Sequence, residues 1–262
     1  MKNIFRRVFK YLQYYFKSST AHGIHSPFVY DLIVNTIYNE NPFYIFGPLE
    51  SLRISLQNND KIIEVEDYGA GSKYSNKKDR KISDIIRQSV KSKKYAQLIF
   101  RLVEEHKPKN LVELGTSLGI TTLYLSYACS DSQIISVEGS ENVAQFAKMQ
   151  FTKFKRKNID SRVGTFQDII PKILKEQESF DFVFFDGHHD EQATISYFEK
   201  FVSKASEDAL FIFDDIHWSK GMERAWKTIK LHDKVSLSID LFEMGLIYFK
   251  PRNQKEHFVI RF

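Results

Sequence analysis

The chain has 262 residues, which is enough for one α/β domain with an appendage or for two small domains. With 42% hydrophobic and 27% charged residues it has the composition of an ordinary globular protein, and no apolar run approaches the roughly 20 residues of a membrane-spanning helix. The single cysteine, Cys129, excludes an internal disulfide framework and a cysteine-based zinc site. Because the start of the chain also lacks the pattern of a secretory signal, the sequence predicts a cytoplasmic location.

The net charge of +5 is unevenly distributed. Residues 1–110 hold 19 Lys and Arg against 11 Asp and Glu, whereas the remainder holds 19 against 22. So basic an N-terminal part predicts either contact with something acidic, such as a membrane surface or a nucleic acid, or a solvated basic face.

The first predicted element is a basic amphipathic helix over residues 3–17. Its apolar positions recur at helical spacing: Ile4, Phe5, Val8, Phe9, Leu12, Tyr15 and Phe16. Such a helix can lie on an anionic membrane, although more commonly it packs its aromatic stripe on its own domain. Further helical patterns, one capped by Ser26 with Pro27 at its first position, make residues 1–108 a mainly helical region.

From residue 109 onward, short apolar runs alternate with helical stretches. The runs are NLVELG, QIISVEG, FDFVFFD and ALFIFDD, with a weaker strand near residues 161–164. Continuously apolar strands separated by helices predict right-handed βαβ units around a parallel sheet. The last two runs, VSLSIDLF and GLIYFK, leave room for a tight hairpin only, so we expect an antiparallel pair at the end of an α/β domain over residues 109–262.

Two glycine-rich segments compete as a cofactor loop. The first, EVEDYGAGSKYS at residues 64–75, is followed by a charged stretch with no strand that ends in an acid. The second, LVELGTSLGITT at residues 111–122, has a strand before it, a helix after it and Glu138 at the end of the next strand. This context is what a nucleotide-type loop requires, so residues 113–119 are the predicted cofactor loop.

The spacing of that loop, Glu113-Leu-Gly115-Thr-Ser-Leu-Gly119, differs from the G-x-G-x-x-G of nicotinamide and flavin binders. With the segment VGTFQDIIPKI and the closing hairpin, it resembles the class I S-adenosylmethionine-dependent methyltransferases over about residues 109–250. Within them the chain looks most like the metal-dependent small-molecule O-methyltransferases typified by catechol O-methyltransferase. The resemblance implies a Rossmann-like fold with a mostly parallel seven-stranded sheet and a terminal antiparallel hairpin.

The resemblance also implies a set of cofactor-binding residues for S-adenosylmethionine. Glu138 would accept hydrogen bonds from both ribose hydroxyls, and Phe166 with Gln167 would border the adenine. The full set is Glu113, Gly115, Thr116, Gly119, Thr121, Glu138, Gly139, Phe166, Gln167 and Asp186.

Three carboxylates follow two strands that are neighbours in the family's sheet: Asp186, Asp214 and Asp215. Together they predict a site for Mg²⁺ or Mn²⁺, since clustered acids repel one another unless a cation compensates them. The catechol enzyme has Asn where Asp215 stands. His189 lies where that enzyme has its catalytic lysine, and we predict it as the general base beside Asp186, with His188 as the substitute.

The predicted activity is O-methylation of a small-molecule hydroxyl. Two other functions stay open: methylation of RNA at ribose, and non-catalytic cofactor binding by a membrane-associated module that uses the N-terminal basic helix. His217 and Trp218 are candidates for the substrate pocket, and the turn Asp67–Lys73, with Tyr68, is predicted as a lid over the active site.

Overall fold

The structure, a computed structural model, describes residues 2–66 and 78–262. Its contacts divide the chain into two compact units. We call Glu40–Glu178 the central unit, and Met1–Asn39 together with Ser179–Phe262 the terminal unit. Each unit contains residues from both sides of the 108/109 boundary, so the division into a 1–108 region and a 109–262 domain stays a prediction.

The elements follow in chain order. The helices are α1 (Lys2–Lys17), α2 (Pro27–Leu32, continued by a π-helical turn at Ile33–Ile37), α3 (Phe46–Gln57), α4 (Ile82–Ser89), α5 (Lys93–His106), α6 (Ile120–Ala128), α7 (Glu141–Lys153), α8 (Phe166–Glu176), α9 (Glu191–Val202) and α10 (Lys220–Leu231). The strands are β1 (Ile62–Val65), β2 (Lys78–Lys81), β3 (Asn110–Leu114), β4 (Gln133–Glu138), β5 (Ile159–Val163), β6 (Phe180–Phe185), β7 (Ala205–Asp214), β8 (Leu237–Asp240), β9 (Met244–Tyr248) and β10 (Glu256–Val259).

Among the described residues, β3 to β10 belong to one mainly parallel eight-stranded sheet. In the central unit, β4 pairs in parallel with both β3 and β5. In the terminal unit, β6 and β7 are parallel, while β9 runs antiparallel to both β7 and β8. The predicted α/β class and closing hairpin are confirmed. The predicted count of seven strands was one too low, because the four residues of β10 pair in parallel with β8.

Several strands of the large sheet, β6 among them, are apolar along their length and buried on both faces. In β6, the consecutive residues Phe182, Val183 and Phe184 have no exposed surface. Since successive side chains of a strand point to opposite faces, such a run can be stable only where both faces are covered.

Side-chain caps fix where three helices begin, just after the strands that precede them. Thr165 accepts a hydrogen bond from the Asp168 amide at the start of α8. Asp190 accepts from two amides of α9, and Ser219 accepts from the Met222 amide of α10. These caps satisfy backbone donors that have no partner within the helix, and they set the short connections that carry the candidate site.

The helix predicted over residues 3–17 is confirmed as α1, but the expected packing of its aromatic stripe on the protein was wrong. The residues of the outer face of α1 are exposed: Phe5, Val8, Phe9, Leu12, Tyr15 and Phe16. The opposite side contacts the C-terminal part of the same unit, where Arg6 and Lys10 pair with Glu223 and Arg7 pairs with Glu243.

The rejected glycine segment begins with the last two residues of β1, a strand that pairs antiparallel with β2. The Asp67–Lys73 turn falls outside the described residues, and its role as a lid stays a prediction. The described residues before it contact the central unit close to Glu138, since the Glu66 amide donates to Ser140 Oγ at 3.2 Å and Asn142 Nδ2 donates to the Glu64 carbonyl at 3.2 Å.

Candidate active site

The loop between β3 and α6 has the backbone that its glycines were predicted to allow. The amides of Gly115 and Thr116 both donate to the Val137 carbonyl of β4, at 2.9 and 3.2 Å. Gly119 precedes α6 in the left-handed region with φ +83°. A Cβ atom there would lie 2.7 Å from Phe151 Cε1, so both the backbone angle and the packing against α7 require glycine.

Glu138, at the end of β4, is held by two backbone amides. Its Oε2 accepts from the Ser117 amide at 2.8 Å, and its Oε1 accepts from the Ser140 amide at 3.0 Å. The first of these bonds joins the glycine loop to the acid of the next strand. The Gly164 amide also donates to the Glu138 carbonyl at 2.9 Å, which brings the start of α8 to the same end of the sheet. A fixed carboxylate therefore stands between the loop and α8.

Glu113 lies beneath the loop and is completely buried. Its Oε2 accepts hydrogen bonds from the Thr122 and Ser136 hydroxyls, both at 2.6 Å. Its Oε1 has no hydrogen-bond partner among the described residues. Burial raises the pKa of Glu113 to about 7; the two hydroxyl donors oppose this rise and the nearby Glu138 charge adds to it. A direct contact between Glu113 and a cofactor could be made only through Oε1.

The other predicted cofactor residues surround the same loop. Thr116 and Thr121 are buried, and the Thr116 and Ser136 hydroxyls are 2.5 Å apart. Gly139 follows β4 directly, while half-buried Phe166 and exposed Gln167 open α8. The central unit thus brings together every predicted cofactor residue except Asp186, which belongs to the terminal unit. Their roles toward a cofactor stay predictions.

In the terminal unit, two of the predicted carboxylates end paired strands. Phe185 and Phe213 are partners in the β6–β7 register, so Asp186 and Asp214, the next residue of each strand's path, lie side by side. One ligand atom each from Asp186, His189 and Asp214 lies within 4.8 Å of the others. Asp214 is almost fully buried, and two carboxylates with an imidazole form a donor set suited to a divalent cation.

Asp215 lies beside this cluster, next to His189. His189 Nε2 is 4.0 Å from Asp186 Oδ1 and 3.9 Å from Asp215 Oδ2. Asp215 has a left-handed backbone with φ +53°, and its amide donates to the Glu243 carbonyl at 2.7 Å. The predicted metal trio of Asp186, Asp214 and Asp215 therefore competes with a second trio in which His189 replaces Asp215.

The other two candidate histidines, His188 and His217, have hydrogen-bond partners of their own. His188 Nδ1 is hydrogen-bonded to the Tyr197 hydroxyl at 3.2 Å. His217 Nε2 donates to Asp240 Oδ2 at 2.7 Å, and its ring stacks on Phe242. The buried Nδ1 of His217 has no hydrogen-bond partner in the part of the chain that the structure describes.

Comparison with known proteins identifies the family of this region. Residues 112–216, which contain both the glycine loop and the acidic cluster, match the family model described as a methyltransferase domain. This segment is a methyltransferase domain. The resemblance to class I S-adenosylmethionine-dependent methyltransferases is thereby confirmed.

Curated relatives and solved structures agree with this assignment. An O-methyltransferase, hkm8, from Aspergillus hancockii is 28% identical over 138 residues, which cover 49% of this chain and 52% of that protein. A protein of Rattus norvegicus named as a transmembrane O-methyltransferase homolog is 28% identical over 85 residues, covering 31% and 33% of the two chains. The chain thus matches about half or less of the length of these relatives.

Two solved structures share the fold. The O-methyltransferase from Bacillus cereus in complex with SAH has a TM-score of 0.57 and 18% identity, covering 84% of this chain and 96% of its own. The O-methyltransferase TomG from Streptomyces achromogenes, involved in tomaymycin synthesis and solved with SAM, has a TM-score of 0.54 and 18% identity, covering 62% and 82%. At this level of identity the likeness shows the fold alone.

Sequence reasoning missed several residues that hold the methyltransferase domain's site in place. Ser117 and Ser140 fix Glu138 through backbone amides, which any residue type could supply, so no side-chain pattern marked them. Thr122 and Ser136 hold Glu113, and their position on the neighbouring helix and strand could have marked them once the strand order was known. Asp240 is 23 residues from His217, and no local spacing links the two.

Proposed function

We propose that the chain is an S-adenosylmethionine-dependent O-methyltransferase that acts on a hydroxyl group of a small molecule. The observation that carries the proposal is the bond from the Ser117 amide to Glu138, which fixes an acidic side chain against the glycine loop where a ribose would be recognised. The names of the relatives, all O-methyltransferases or homologs of one, support the choice of oxygen as the acceptor atom.

The central unit supplies the residues that would hold S-adenosylmethionine. Glu138 is an acceptor suited to the ribose hydroxyls, the loop of Gly115 to Gly119 would admit the methionine portion, and Phe166 and Gln167 at the start of α8 would border the adenine. The buried Ser117 Oγ, which has no hydrogen-bond partner among the described residues, offers one more polar contact in the loop. When bound, S-adenosylmethionine supplies a sulfonium methyl group for in-line displacement, a reaction that depends mainly on alignment of the nucleophile.

The terminal unit supplies the residues that would hold Mg²⁺ or Mn²⁺ and move the acceptor's proton. Asp186 and Asp214 would be ligands in either trio, with Asp215 or His189 as the third. A bound cation supplies a Lewis acid that lowers the pKa of a coordinated hydroxyl and orients it. All-oxygen ligation with Asp215 suits Mg²⁺ and leaves His189 as the general base, whereas ligation by His189 favours a transition metal.

If His189 is a ligand, the base must be another group, and the His217–Asp240 pair has the arrangement expected of one. Asp240 holds one ring nitrogen of His217 in a fixed orientation, and the other nitrogen then accepts a proton. His189 remains our first choice, because it contacts the acidic cluster directly.

Titration calorimetry with S-adenosylhomocysteine tests the cofactor assignment. The wild-type chain is expected to bind, and Glu138→Ala is expected to weaken binding roughly 10- to 100-fold, since a hydrogen bond to a charged group contributes about 1.5–3 kcal/mol. Glu105→Ala, which removes an exposed carboxylate from α5, is the matched control and should bind like the wild type. Absence of binding by the wild type, or equal binding by Glu138→Ala, would contradict the proposal.

A further inference from the structure

The outer face of α1 is a continuous apolar surface that the described protein leaves uncovered. Phe5 is 74% exposed, Phe9 59% and Phe16 81%. Val8, Leu12 and Tyr15 lie on the same side of the helix, since all six residues fall within about one third of a turn of 3.6 residues. An apolar surface of this kind on a helix marks an interaction site more often than a simple solvent-facing side.

The contacts on the opposite side of α1 hold this orientation in place. Arg6 Nη1 and Lys10 Nζ lie 2.9 and 3.0 Å from the two oxygens of Glu223. Tyr14 is buried and its hydroxyl donates to the Ile260 carbonyl at 2.5 Å. Turning the helix to bury its phenylalanines would break all of these contacts, so α1 presents a preformed apolar face.

The size of the face argues for a bilayer rather than for a second copy of the chain. A helix of 16 residues is about 24 Å long and about 10 Å wide, so one side of it offers a few hundred Å² at most. A stable protein interface buries roughly 800 Å² on each partner. A lipid surface needs no complementary shape, and it takes up aromatic side chains readily at the level of its headgroups.

The charge beside the outer face of α1 agrees with contact to a membrane surface. No helix in the part of the chain that the structure describes is long and apolar enough to cross a bilayer. Of the five Lys and Arg in residues 1–39, Arg6, Arg7 and Lys10 pair with Glu223 and Glu243, whereas exposed Lys17 ends α1 beside Phe16. The positive charge of Lys17 beside the apolar face suits a surface that contains anionic lipid.

We propose that the outer face of α1 binds the surface of a phospholipid bilayer, with Phe5, Phe9 and Phe16 inserted below the headgroups. The sequence alone predicted a basic amphipathic helix that can lie on an anionic membrane or pack on its own domain. In the structure Arg6, Arg7 and Lys10 of its basic side pair with Glu223 and Glu243, so the apolar side would make the membrane contact.

Flotation of the full chain with vesicles of phosphatidylcholine and phosphatidylserine at 70:30 tests the proposal. The variant Phe5→Ser/Phe9→Ser/Phe16→Ser removes the apolar face. The control variant Tyr44→Ser/Ile54→Ser/Met149→Ser removes three side chains of the central unit that are 81%, 58% and 54% exposed, which closely matches the exposure of the three phenylalanines. Thermal unfolding followed by circular dichroism checks that both variants remain folded, as expected of exposed positions.

The wild type and the control variant are expected to float with the vesicles, and the α1 variant is expected to lose at least tenfold in partition coefficient, because three aromatic side chains no longer leave water. If the α1 variant unfolds at a lower temperature than the wild type, Phe16→Ser alone is used. Its partition coefficient should still fall about threefold, which corresponds to roughly half the free energy of a tenfold change. The proposal is overturned if the wild type does not float, or if the α1 variant floats equally well. Light scattering gives a further test. The proposal is also overturned if the wild type is a dimer that does not bind the vesicles and the α1 variant is a monomer, since a second copy of the chain then covers the face.

Discussion

Glu113 makes the stability of the protein depend on pH, in the direction opposite to that of an ordinary ion-paired acid. Its carboxyl group is completely buried and its pKa in the folded protein is raised to about 7, against 4.5 for the ordinary glutamate. Between these two values the folded protein keeps a proton that the unfolded chain has released. The free energy of unfolding therefore falls as the pH rises through this window, and the loss is complete above pH 7.

The size of the effect follows from the two pKa values. A difference of about 2.5 units, at about 1.4 kcal/mol per unit, gives a loss of about 3 kcal/mol between pH 4.5 and pH values above 7. Glu113→Gln keeps the shape of the side chain and an oxygen that can accept from Thr122 and Ser136, but it cannot ionise. Relative to the wild type, this variant should therefore gain about 3 kcal/mol as the pH rises from 4.5 to 8.5.

Urea unfolding followed by circular dichroism at pH 4.5, 7.0 and 8.5 measures this difference. Glu105→Gln, an exposed glutamate of α5, is the control, and its difference from the wild type should stay constant with pH. Parallel curves for Glu113→Gln and the wild type would show that the pKa of Glu113 is the same in the folded and the unfolded protein, and would refute the reasoning. If the free energy of unfolding of Glu113→Gln falls relative to that of the wild type as the pH rises, the sign is opposite to the prediction and the reasoning is refuted as well.

Two further predictions concern the glycine loop and the acidic cluster. Gly119→Ala should destabilise the protein by about 2–4 kcal/mol in urea unfolding, because it combines a left-handed backbone with a Cβ 2.7 Å from the Phe151 ring. The control is Gly47→Ala in α3, where a Cβ meets nothing within 4 Å, and it should be neutral or stabilising. Equal effects of the two substitutions would contradict the argument. In calorimetry with Mn²⁺ and Mg²⁺, Asp214→Asn should weaken binding of the ion by at least tenfold, as expected when a charged ligand is lost. Asp215→Asn and His189→Gln should weaken that binding unequally, and the larger effect identifies the third ligand. If the wild-type protein binds neither ion, the metal is removed from the proposed function.

The sequence was sufficient to locate the glycine loop and the acids because their positions follow from the ends of strands. Glu138 follows a strand that pairs with the one before the loop, and Asp186 and Asp214 end two strands in register. Strands of this kind can be recognised from continuous apolar runs, and parallel strands place their carboxyl ends at one edge. The chemistry that these ends carry could therefore be predicted without coordinates.

Other parts of the site depend on side-chain directions that no spacing encodes. His189 Nε2 lies 4.0 Å from Asp186 and 3.9 Å from Asp215, so sequence spacing alone does not distinguish a ligand from a base there. The hydrogen bond between His217 and Asp240 joins a loop to a strand of the hairpin, and its existence depends on how β8 pairs. The four residues of β10 were missed because such a short segment becomes a strand only through pairing with β8.

The orientation of α1 shows the same limit most clearly. An amphipathic pattern shows that a helix has two different faces. Which face packs on the protein depends on the side chains that the neighbouring elements place beside it. Here the terminal unit offers the carboxylates of Glu223 and Glu243, which are 217 and 236 residues away from their partners Arg6 and Arg7. Ion pairs of this exposure contribute little free energy each, so with Tyr14 they select the orientation while the phenylalanines remain in water. A helix docked by its charged side carries an apolar face that gains free energy from any surface able to remove it from water, and this is the physical reason to look for a membrane at α1.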